Sequence, residues 1–199
     1  MCAIVGFVCP KPNKQAVDTL KQLFIESKIR GMHAYGYAAI QDGRVIEQKS
    51  NTLKPLLISI QAPTIMIGHC RYSTSGDYKD HQNNQPLRHG DEWLVFNGVI
   101  DMRTKAEMEK AHGIILKSEN DGEIMLQTKN RAALLKSGIT FSGLLLKSHR
   151  LAFFRNEDRP AYKATRYGAT FIGSTADILR RCLLNPVPLD PFEVHEWTA

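Results

Sequence analysis

The sequence predicts a layered α+β domain, because its strands come in antiparallel pairs and its helices are inserted in clusters. Residues 36–41 and 44–48 flank Asp42-Gly43, a favoured two-residue hairpin turn. Residues 142–147 and 150–155 form a second predicted hairpin. Strands that alternated one by one with helices would instead favour a doubly wound parallel sheet.

The other elements follow from hydrophobic spacing and from turn residues. Unbroken apolar runs predict buried strands at 3–8, 64–68, 93–96 and 169–173. Apolar residues at helical spacing predict a helix that begins after Asn13 and ends near Gly31. Helical spacing and capping signals predict further helices at 104–113, 121–138 and 175–181. The proline-rich segment after Asn185 is expected to be extended and to pack on the surface.

Length and charge limit the class of protein. The 199 residues are 43% apolar and 23% charged, which is typical of a globular protein, and one domain over 1–199 is the default. The net charge of +6 permits attraction to phosphate-bearing partners, but Lys and Arg are scattered, which favours a solvated surface over a nucleic-acid face. No apolar run approaches about 18 residues, so no membrane span is predicted.

The cysteine pattern argues against a structural zinc site and against a thioredoxin-like redox pair, because no Cys-x-x-Cys pair is present. Reduced thiols in the cytoplasm are the simplest interpretation. Three histidines also match no metal-binding spacing, so we expect neither a metal nor another cofactor. The cysteines are Cys2, Cys9, Cys70 and Cys182, and the histidines are His69, His81 and His89.

Cys2 is a candidate nucleophile because it follows Met1 directly. Removal of Met1, which small second residues generally permit, gives one residue with both a thiol and a free α-amine. An α-amine has a reference pKa of about 7.7 to 8.0, so part of it is unprotonated near neutral pH and can accept the thiol proton. The alternative is that Cys2 is only a small apolar residue at the start of a buried strand.

Arg71 is a candidate ligand-binding residue. It lies in a hydroxyl-rich segment, 68–76, that follows a predicted strand directly. A guanidinium group matches a carboxylate bidentately, which suits recognition of a small polar ligand. A surface arginine that braces a loop is an equally acceptable interpretation.

Asn97-Gly98 follows another predicted strand. An Asn amide and a Gly N–H can point at one oxygen, as an oxyanion hole requires. Asn-Gly is also the commonest tight-turn dipeptide, and a turn is the simpler interpretation of an isolated pair.

The segment 118–123 carries a third candidate, Asp121. Its carboxylate could accept hydrogen bonds from the ammonium group of a ligand. Ser118 with Asp121 also fits the helix-capping pattern Ser-x-x-Asp, which is a competing interpretation.

Taken together in chain order, these segments resemble the class II glutamine amidotransferases, whose glutaminase domain belongs to the N-terminal-nucleophile hydrolases. Each segment alone is unspecific, whereas the collinear set that begins at Cys2 is specific. The matching segments are 1–6, 30–31, 69–76, 84–87, 96–100, 118–123 and 154–160, and they span most of the chain.

The resemblance implies a fold and a reaction centre. The fold would be a four-layer αββα sandwich with two stacked antiparallel sheets. Cys2 would be the nucleophile, and Asn97 with Gly98 would form the oxyanion hole.

The resemblance also implies a binding site for L-glutamine. Arg71 would bind the α-carboxylate and Asp121 the α-amino group, while Thr74 and Gln85 would line the same pocket. Residues 30–36 occupy the place of a loop that closes over glutamine in relatives, although Met32-His33-Ala34 departs from the common pattern there.

The implied activity is hydrolysis of the glutamine side-chain amide through a thioester on Cys2. Residues 1–199 would hold the glutaminase domain and no synthase domain, so a separate acceptor-binding synthase subunit would receive the ammonia. A non-catalytic glutamine sensor or regulatory subunit is the alternative. A nucleic-acid partner is supported only by the positive net charge.

Overall fold

The computed structural model describes residues 1–74 and 76–199, and two antiparallel sheets form its centre. In chain order the strands are β1 (Ala3–Val8), β2 (Ala34–Gln41), β3 (Arg44–Ser50), β4 (Ile65–Arg71), β5 (Leu87–His89), β6 (Glu92–Val99), β7 (Thr140–Lys147), β8 (Arg150–Arg155), β9 (Tyr162–Arg166), β10 (Ala169–Gly173), β11 (Val187–Pro188) and β12 (His195–Thr198). The larger sheet has the order β11-β9-β10-β1-β4-β2-β3, and the smaller has the order β12-β8-β7-β6-β5.

Helices cover the outer faces of both sheets. They are α1 (Lys14–Ser27), α2 (Leu53–Ser59), α3 (Lys105–His112), α4 (Gly122–Gln127), α5 (Arg131–Leu135) and α6 (Ala176–Arg181), with short 3-10 segments at Lys28–Arg30 and His81–Asn83. Among the described residues, each helix is too short or too polar to cross a bilayer.

The apolar side chains form layers that match an αββα sandwich. Alternate residues of β1 and β4, such as Ile4 and Ile67, pack against Val95 of β6 and Leu144 of β7 between the sheets. The opposite face of the larger sheet packs on α1, α2 and α6. The outer face of the smaller sheet packs on α4 and α5. The layered antiparallel architecture expected from the sequence is therefore confirmed.

β1 lies in the middle of the larger sheet and is paired on both edges. Its antiparallel partners are β10, where Val5 lies opposite Gly173, and β4, where Ala3 lies opposite Cys70. All six of its residues are buried, which explains the continuous apolar run in the sequence. The residue before β1 is thereby held at a fixed place in the fold.

The local signals for hairpins and helix ends are confirmed. Asp42 and Gly43 have φ of 52° and 71°, as a tight turn between β2 and β3 requires. The Asn13 side chain caps α1 by accepting a hydrogen bond from Ala16 N–H. The capping box at α3 forms, and Gly113 ends that helix in the left-handed region with a φ of 64°.

The prediction of a single helix at 121–138 is wrong. This segment is divided into α4 and α5, because Thr128 adopts an extended conformation with ψ of 138° and ends α4. The Asn130 side chain then accepts a hydrogen bond from Ala133 N–H and starts α5. The apolar spacing continues across the break because both short helices pack on the same sheet face.

The interpretation of Asn97-Gly98 as a tight turn is also wrong. Both residues lie inside β6 and are paired with β7, Asn97 opposite Ser142 and Gly98 opposite Phe141. A Cβ atom on Gly98 would lie 1.9 Å from the carbonyl oxygen of Thr140. Glycine is therefore required here by a close approach of two strands rather than by a turn.

The proline-rich segment after Asn185 is extended, as expected. Its two short strands join the edges of both sheets: β11 pairs with β9, and β12 pairs with β8.

Candidate active site

Cys2 and Arg71 lie opposite each other at one end of the larger sheet. The register pairs Ala3 with Cys70, and its continuation by one residue places Cys2 opposite Arg71. Side chains alternate along a strand, so Cys2 shares a face with Ile4, and Arg71 shares one with Ile67. Both candidates therefore project from the face of the larger sheet that is turned toward the smaller sheet.

The Cys2 sulfur is held by the backbone of Tyr72. Tyr72 N–H lies 3.4 Å from Sγ, and Sγ lies 3.6 Å from the Tyr72 carbonyl oxygen. Burial raises the pKa of the Cys2 thiol, while the hydrogen bond with Tyr72 and the nearby positive charges of Arg71 and Arg30 oppose that rise. The thiol is therefore the resting form, and a base is needed to make the thiolate.

Arg71 is buried and its guanidinium group is oriented by a neighbouring amide. Its Nη1 donates to Asn84 Oδ1 at 2.6 Å, and its Nη2 donates to the Gly76 carbonyl at 3.3 Å. Asn84 is itself fixed, because its Nδ2 donates to the Tyr78 carbonyl at 2.8 Å. Such a supported guanidinium group is suited to bind a carboxylate at a defined position.

His69 links the two sheets behind these residues. It lies on the same face of β4 as Arg71, and its ring interacts with the backbone of Phe96, next to Asn97 in β6. Burial, together with the charge of Arg71, lowers the pKa of His69 to about 3, so the ring is neutral. This contact brings the end of β4 that carries Arg71 close to the part of β6 that carries Asn97 and Gly98.

The edge of β6 presents a series of backbone N–H groups near this point. Phe96 N–H donates to Gln85 Oε1 at 2.6 Å, and Ile100 N–H donates to Asp121 Oδ2 at 2.6 Å. Alternate N–H groups of a strand point to the same edge, so the N–H of Gly98 points to the side where Gln85 and Asp121 lie. An N–H with this orientation can serve as an oxyanion donor.

Three of the candidate residues line one cavity of about 170 Å³, namely Thr74, Gly98 and Asp121. Glu119 and Met102 also contribute to its wall. Burial raises the pKa of the Asp121 carboxyl, against the lowering effect of its backbone hydrogen bonds to Ile100 and Asp101. Thr74 is exposed at the rim, whereas Asp121 is half-buried.

The other candidates do not line this cavity. Gln85 is buried and its side-chain oxygen is engaged with Phe96. Asn97 is buried on the face of β6 that carries Val95, turned toward the larger sheet. Ser118 does not cap α4. Its hydroxyl instead donates to Glu123 Oε1 at 2.5 Å, and this contact fixes the loop that precedes Asp121.

The segment that precedes β2 is tied to the loop after β4. His33 Nδ1 accepts a hydrogen bond from Ser73 N–H at 2.9 Å. The His33 ring stacks on Tyr72 and on Tyr78, with centroid distances of 4.8 and 5.0 Å. A Cβ atom on Gly31 would lie 2.4 Å from the carbonyl carbon of Arg71, so only glycine fits there. The unusual Met32-His33-Ala34 sequence thus provides its own anchor for this segment.

Comparisons with known proteins show similarity in sequence and in fold. No protein-family model matches the chain. A glutamine–fructose-6-phosphate aminotransferase (isomerizing) from Aquifex aeolicus is 30% identical over 136 residues, which are 63% of this chain and 22% of that relative. The corresponding protein from Bacillus licheniformis is 29% identical over 170 residues, which are 80% of this chain and 28% of that relative. The chain therefore spans about a quarter of the length of these curated relatives.

Solved structures share the fold. A glutamine phosphoribosylpyrophosphate amidotransferase from B. subtilis, complexed with ADP and GMP, matches with a TM-score of 0.76 and 15% identity over 99% of this chain and 49% of that chain. A glutamine aminotransferase class-II domain protein from Silicibacter pomeroyi matches with a TM-score of 0.62 and 11% identity over 99% of both chains. The chain is a relative of the class II glutamine amidotransferases.

The sequence alone did not reveal several contacts of this candidate site. Asn84 and Glu119 both lie in matched segments, next to Gln85 and near Asp121, and that position was the available signal. The Tyr72 N–H gave no signal, because a backbone donor has no side-chain signature. Arg30 was noted only as part of a motif, yet its Nε donates to the Cys2 carbonyl at 2.8 Å.

Proposed function

We propose that this chain hydrolyses the side-chain amide of L-glutamine to glutamate and ammonia, with Cys2 as the nucleophile. The observation that carries the proposal is the position of Cys2 opposite a buried, amide-supported Arg71 at the end of paired strands. A thiol beside a fixed carboxylate-binding group suits an amino-acid substrate with a reactive side chain. The relationship to the class II glutamine amidotransferases supports glutamine as that substrate.

The reaction begins at the α-amine of Cys2 once Met1 has been removed. The amine, directly or through a water molecule, takes the thiol proton, and the sulfur attacks the amide carbon of the glutamine side chain. A tetrahedral oxyanion forms. The Asn97 amide and the Gly98 N–H stabilise it, a contribution of about 3 to 4 kcal/mol per donor in comparable acyl-transfer sites.

Collapse of the tetrahedral intermediate releases ammonia. The protonated amine returns its proton to the departing nitrogen, and a glutamyl thioester remains on Cys2. Water then adds to the thioester carbonyl, the carbon–sulfur bond breaks, and glutamate leaves with the thiol restored. The same amine and the same oxyanion donors serve both halves of the reaction.

The backbone end of glutamine is held by two charged groups. Arg71 donates hydrogen bonds to the α-carboxylate, and Asn84 already sets the orientation of the guanidinium group. Asp121 lies in the cavity wall, with Thr74 at the rim, and accepts hydrogen bonds from the α-ammonium. Both groups contribute to glutamine affinity more than to the bond-making step.

We propose further that residues 1–199 are a glutaminase domain and that the ammonia is consumed at a separate synthase subunit. Ammonia released into water is protonated near neutral pH and is then no longer nucleophilic, so delivery to an adjacent acceptor site preserves its reactivity. Copurification, followed by a glutaminase assay with and without the captured partner, tests this. Amidation of an acceptor by the isolated chain would contradict it.

The cysteines favour a reducing compartment for this chemistry. All four are free, and three of them are buried. A free thiol nucleophile persists where glutathione and thioredoxin keep thiols reduced, which supports a cytoplasmic location.

Mass spectrometry of the purified chain tests the nucleophile directly. We expect Met1 to be absent and a glutamine-analogue electrophile to attach at Cys2. Cys2→Ala should abolish ammonia release while glutamine binding, measured by calorimetry, remains. Cys182→Ala, which removes a buried thiol elsewhere, is the matched control. Glutamine binding without turnover, with Met1 retained, would instead support the glutamine-sensor alternative.

A further inference from the structure

Two arginines flank the position from which Cys2 begins. Arg30 Nε donates to the Cys2 carbonyl at 2.8 Å, and its Nη2 lies 3.7 Å from Met1 Sδ. Arg159, in the loop between β8 and β9, approaches the same sulfur from another side, with Nη1 at 3.3 Å. The two guanidinium groups therefore both contact Met1, the residue whose removal exposes the amine.

Neither arginine is neutralised by a carboxylate within the described part of the chain. Arg30 is bound to a carbonyl and Arg159 Nη2 lies 3.4 Å from the Thr140 hydroxyl, both uncharged groups. Arg159 Nε is buried and has no hydrogen-bond partner among the described residues. Burial, together with the nearby charge of Arg159, lowers the pKa of Arg30, whereas Cys2 acts in the opposite direction. The two positive charges thus act on each other at this site.

On the basis of the proposed function, we propose that Arg30 and Arg159 keep the α-amine of mature Cys2 in its neutral, proton-accepting form. The Cys2 nitrogen is bonded to Met1 in the unprocessed chain and is three bonds from the carbonyl oxygen that Arg30 holds. An ammonium group formed there would face two like charges, which disfavour it. The base that activates the thiol is therefore available at a lower pH than an ordinary α-amine.

The other charged groups around this amine do not reverse the balance. Arg71, opposite Cys2 in β4, adds a third positive charge. Asp177 of α6 lines the open cleft beside Met1, but its carboxylate already pairs with Arg181 Nε at 2.8 Å. Burial raises the pKa values of the Cys2 and Cys70 thiols, so neither supplies a negative charge at rest. The cleft also contains the phenol of Tyr72, and Lys28 acts on Cys70 with a further positive charge.

The pH profile of the reaction provides the first test. For Arg159→Gln we expect the acid limb of kcat/KM to move up by about one pH unit, because the amine gains protons more readily. Arg159→Lys should restore the profile, since it keeps the charge. Arg44→Gln is the control: it removes the same charge from an exposed position at the opposite end of the β2–β3 hairpin, and should leave the profile unchanged.

Direct titration of the amine provides a test without activity. In the Cys2→Ala chain, the rate of acetylation of the N-terminal amine by acetic anhydride is followed against pH by mass spectrometry of the terminal peptide. We expect a midpoint below about 7.7, the lower end of the ordinary range. Addition of Arg159→Gln should raise the midpoint by about one unit.

The outcomes separate this inference from the proposed function. An active chain whose amine titrates at its ordinary pKa overturns the inference alone. If the amine has a low acetylation midpoint but the correctly processed chain does not hydrolyse glutamine, the proposed function alone is overturned. The measurement on Cys2→Ala needs no arginine variant, so failure of Arg159→Gln to fold leaves the test intact.

Discussion

Gln85 and Asp121 hold the N–H groups of Phe96, within β6, and of Ile100, directly after its end, one on each side of Gly98. Gln85 Oε1 accepts the Phe96 N–H at 2.6 Å, and Asp121 Oδ2 accepts the Ile100 N–H at 2.6 Å. The Gly98 N–H lies between these two fixed neighbours. Two polar side chains that are distant from each other in the sequence therefore set the position of one proposed oxyanion donor.

Gln85→Ala tests this positioning. The change leaves the buried Phe96 N–H without its acceptor, so we expect the free energy of unfolding to fall by about 1 to 3 kcal/mol. We expect kcat for glutamine to fall more than KM rises, because the Gly98 donor is displaced. Urea denaturation and steady-state kinetics measure both, with the exposed Gln82→Ala as control. Unchanged stability and kcat would show that Gln85 has no such role.

Asn97→Ala tests the other proposed oxyanion donor. Loss of one such donor costs about 100- to 1000-fold in kcat in comparable acyl-transfer enzymes, with little change in KM. Ammonia release at saturating and limiting glutamine separates the two constants. An increase in KM with unchanged kcat would refute the oxyanion role of Asn97.

Asp121→Asn tests whether Asp121 acts through its negative charge or through its hydrogen bond to the backbone. The amide keeps one oxygen to accept the Ile100 N–H but loses the negative charge that would bind the α-ammonium. We expect KM for glutamine to rise by roughly 10- to 100-fold, the equivalent of one charge-assisted hydrogen bond, with little change in melting temperature. A matched loss of thermal stability would indicate that Asp121 is mainly structural.

The same carboxylate predicts a pH dependence. Burial raises the pKa of Asp121 above its ordinary value, and only its ionised form attracts the ammonium group. KM of the parent chain should therefore rise on acidification, beginning at a higher pH than an ordinary aspartate would require. The Asp121→Asn chain should lack this rise. Equal pH profiles of KM for the two chains would contradict the assignment.

His69 predicts an acid sensitivity of the fold. Its pKa is lowered to about 3 in the folded chain, against an ordinary value near 6.5, so the unfolded chain binds the extra proton more readily. The contribution of neutral His69 to the free energy of unfolding is complete above about pH 6.5. As the pH drops from there toward 3, the free energy of unfolding should fall by about 1.4 kcal/mol per pH unit. Denaturation in urea across this range measures the slope.

His69→Gln should make the free energy of unfolding less dependent on pH, because glutamine does not titrate and the contribution of one proton to the slope is lost. The exposed His89→Gln serves as control and should leave the slope unchanged. A slope of equal steepness in the parent chain and in His69→Gln would place the acid sensitivity elsewhere.

Features encoded by neighbouring residues could be predicted from the sequence. The apolar run of β1, the Asp42-Gly43 turn and the Asn13 cap depend on contacts within a few residues, and each was found where expected. The order of the matched segments also predicted the layered fold, because those segments span most of the chain.

Features decided by distant contacts could not be predicted in this way. Asn97-Gly98 has the composition of a turn, yet it continues a strand because β7 lies alongside it. Gln85 was expected to line a pocket, and its engagement with Phe96 depends on how two chain segments meet. Arg159 contacts Met1 although the two residues are 158 positions apart in the sequence, and no local sequence pattern predicts this contact.

The central position of β1 has a practical consequence for recombinant work. Neighbouring strands secure β1 on both edges, so an affinity tag fused ahead of Met1 would have to leave through the cleft beside Tyr72 and would mask the amine. A tag joined behind Ala199 would instead extend from the exposed edge strand of the smaller sheet, well clear of the thiol.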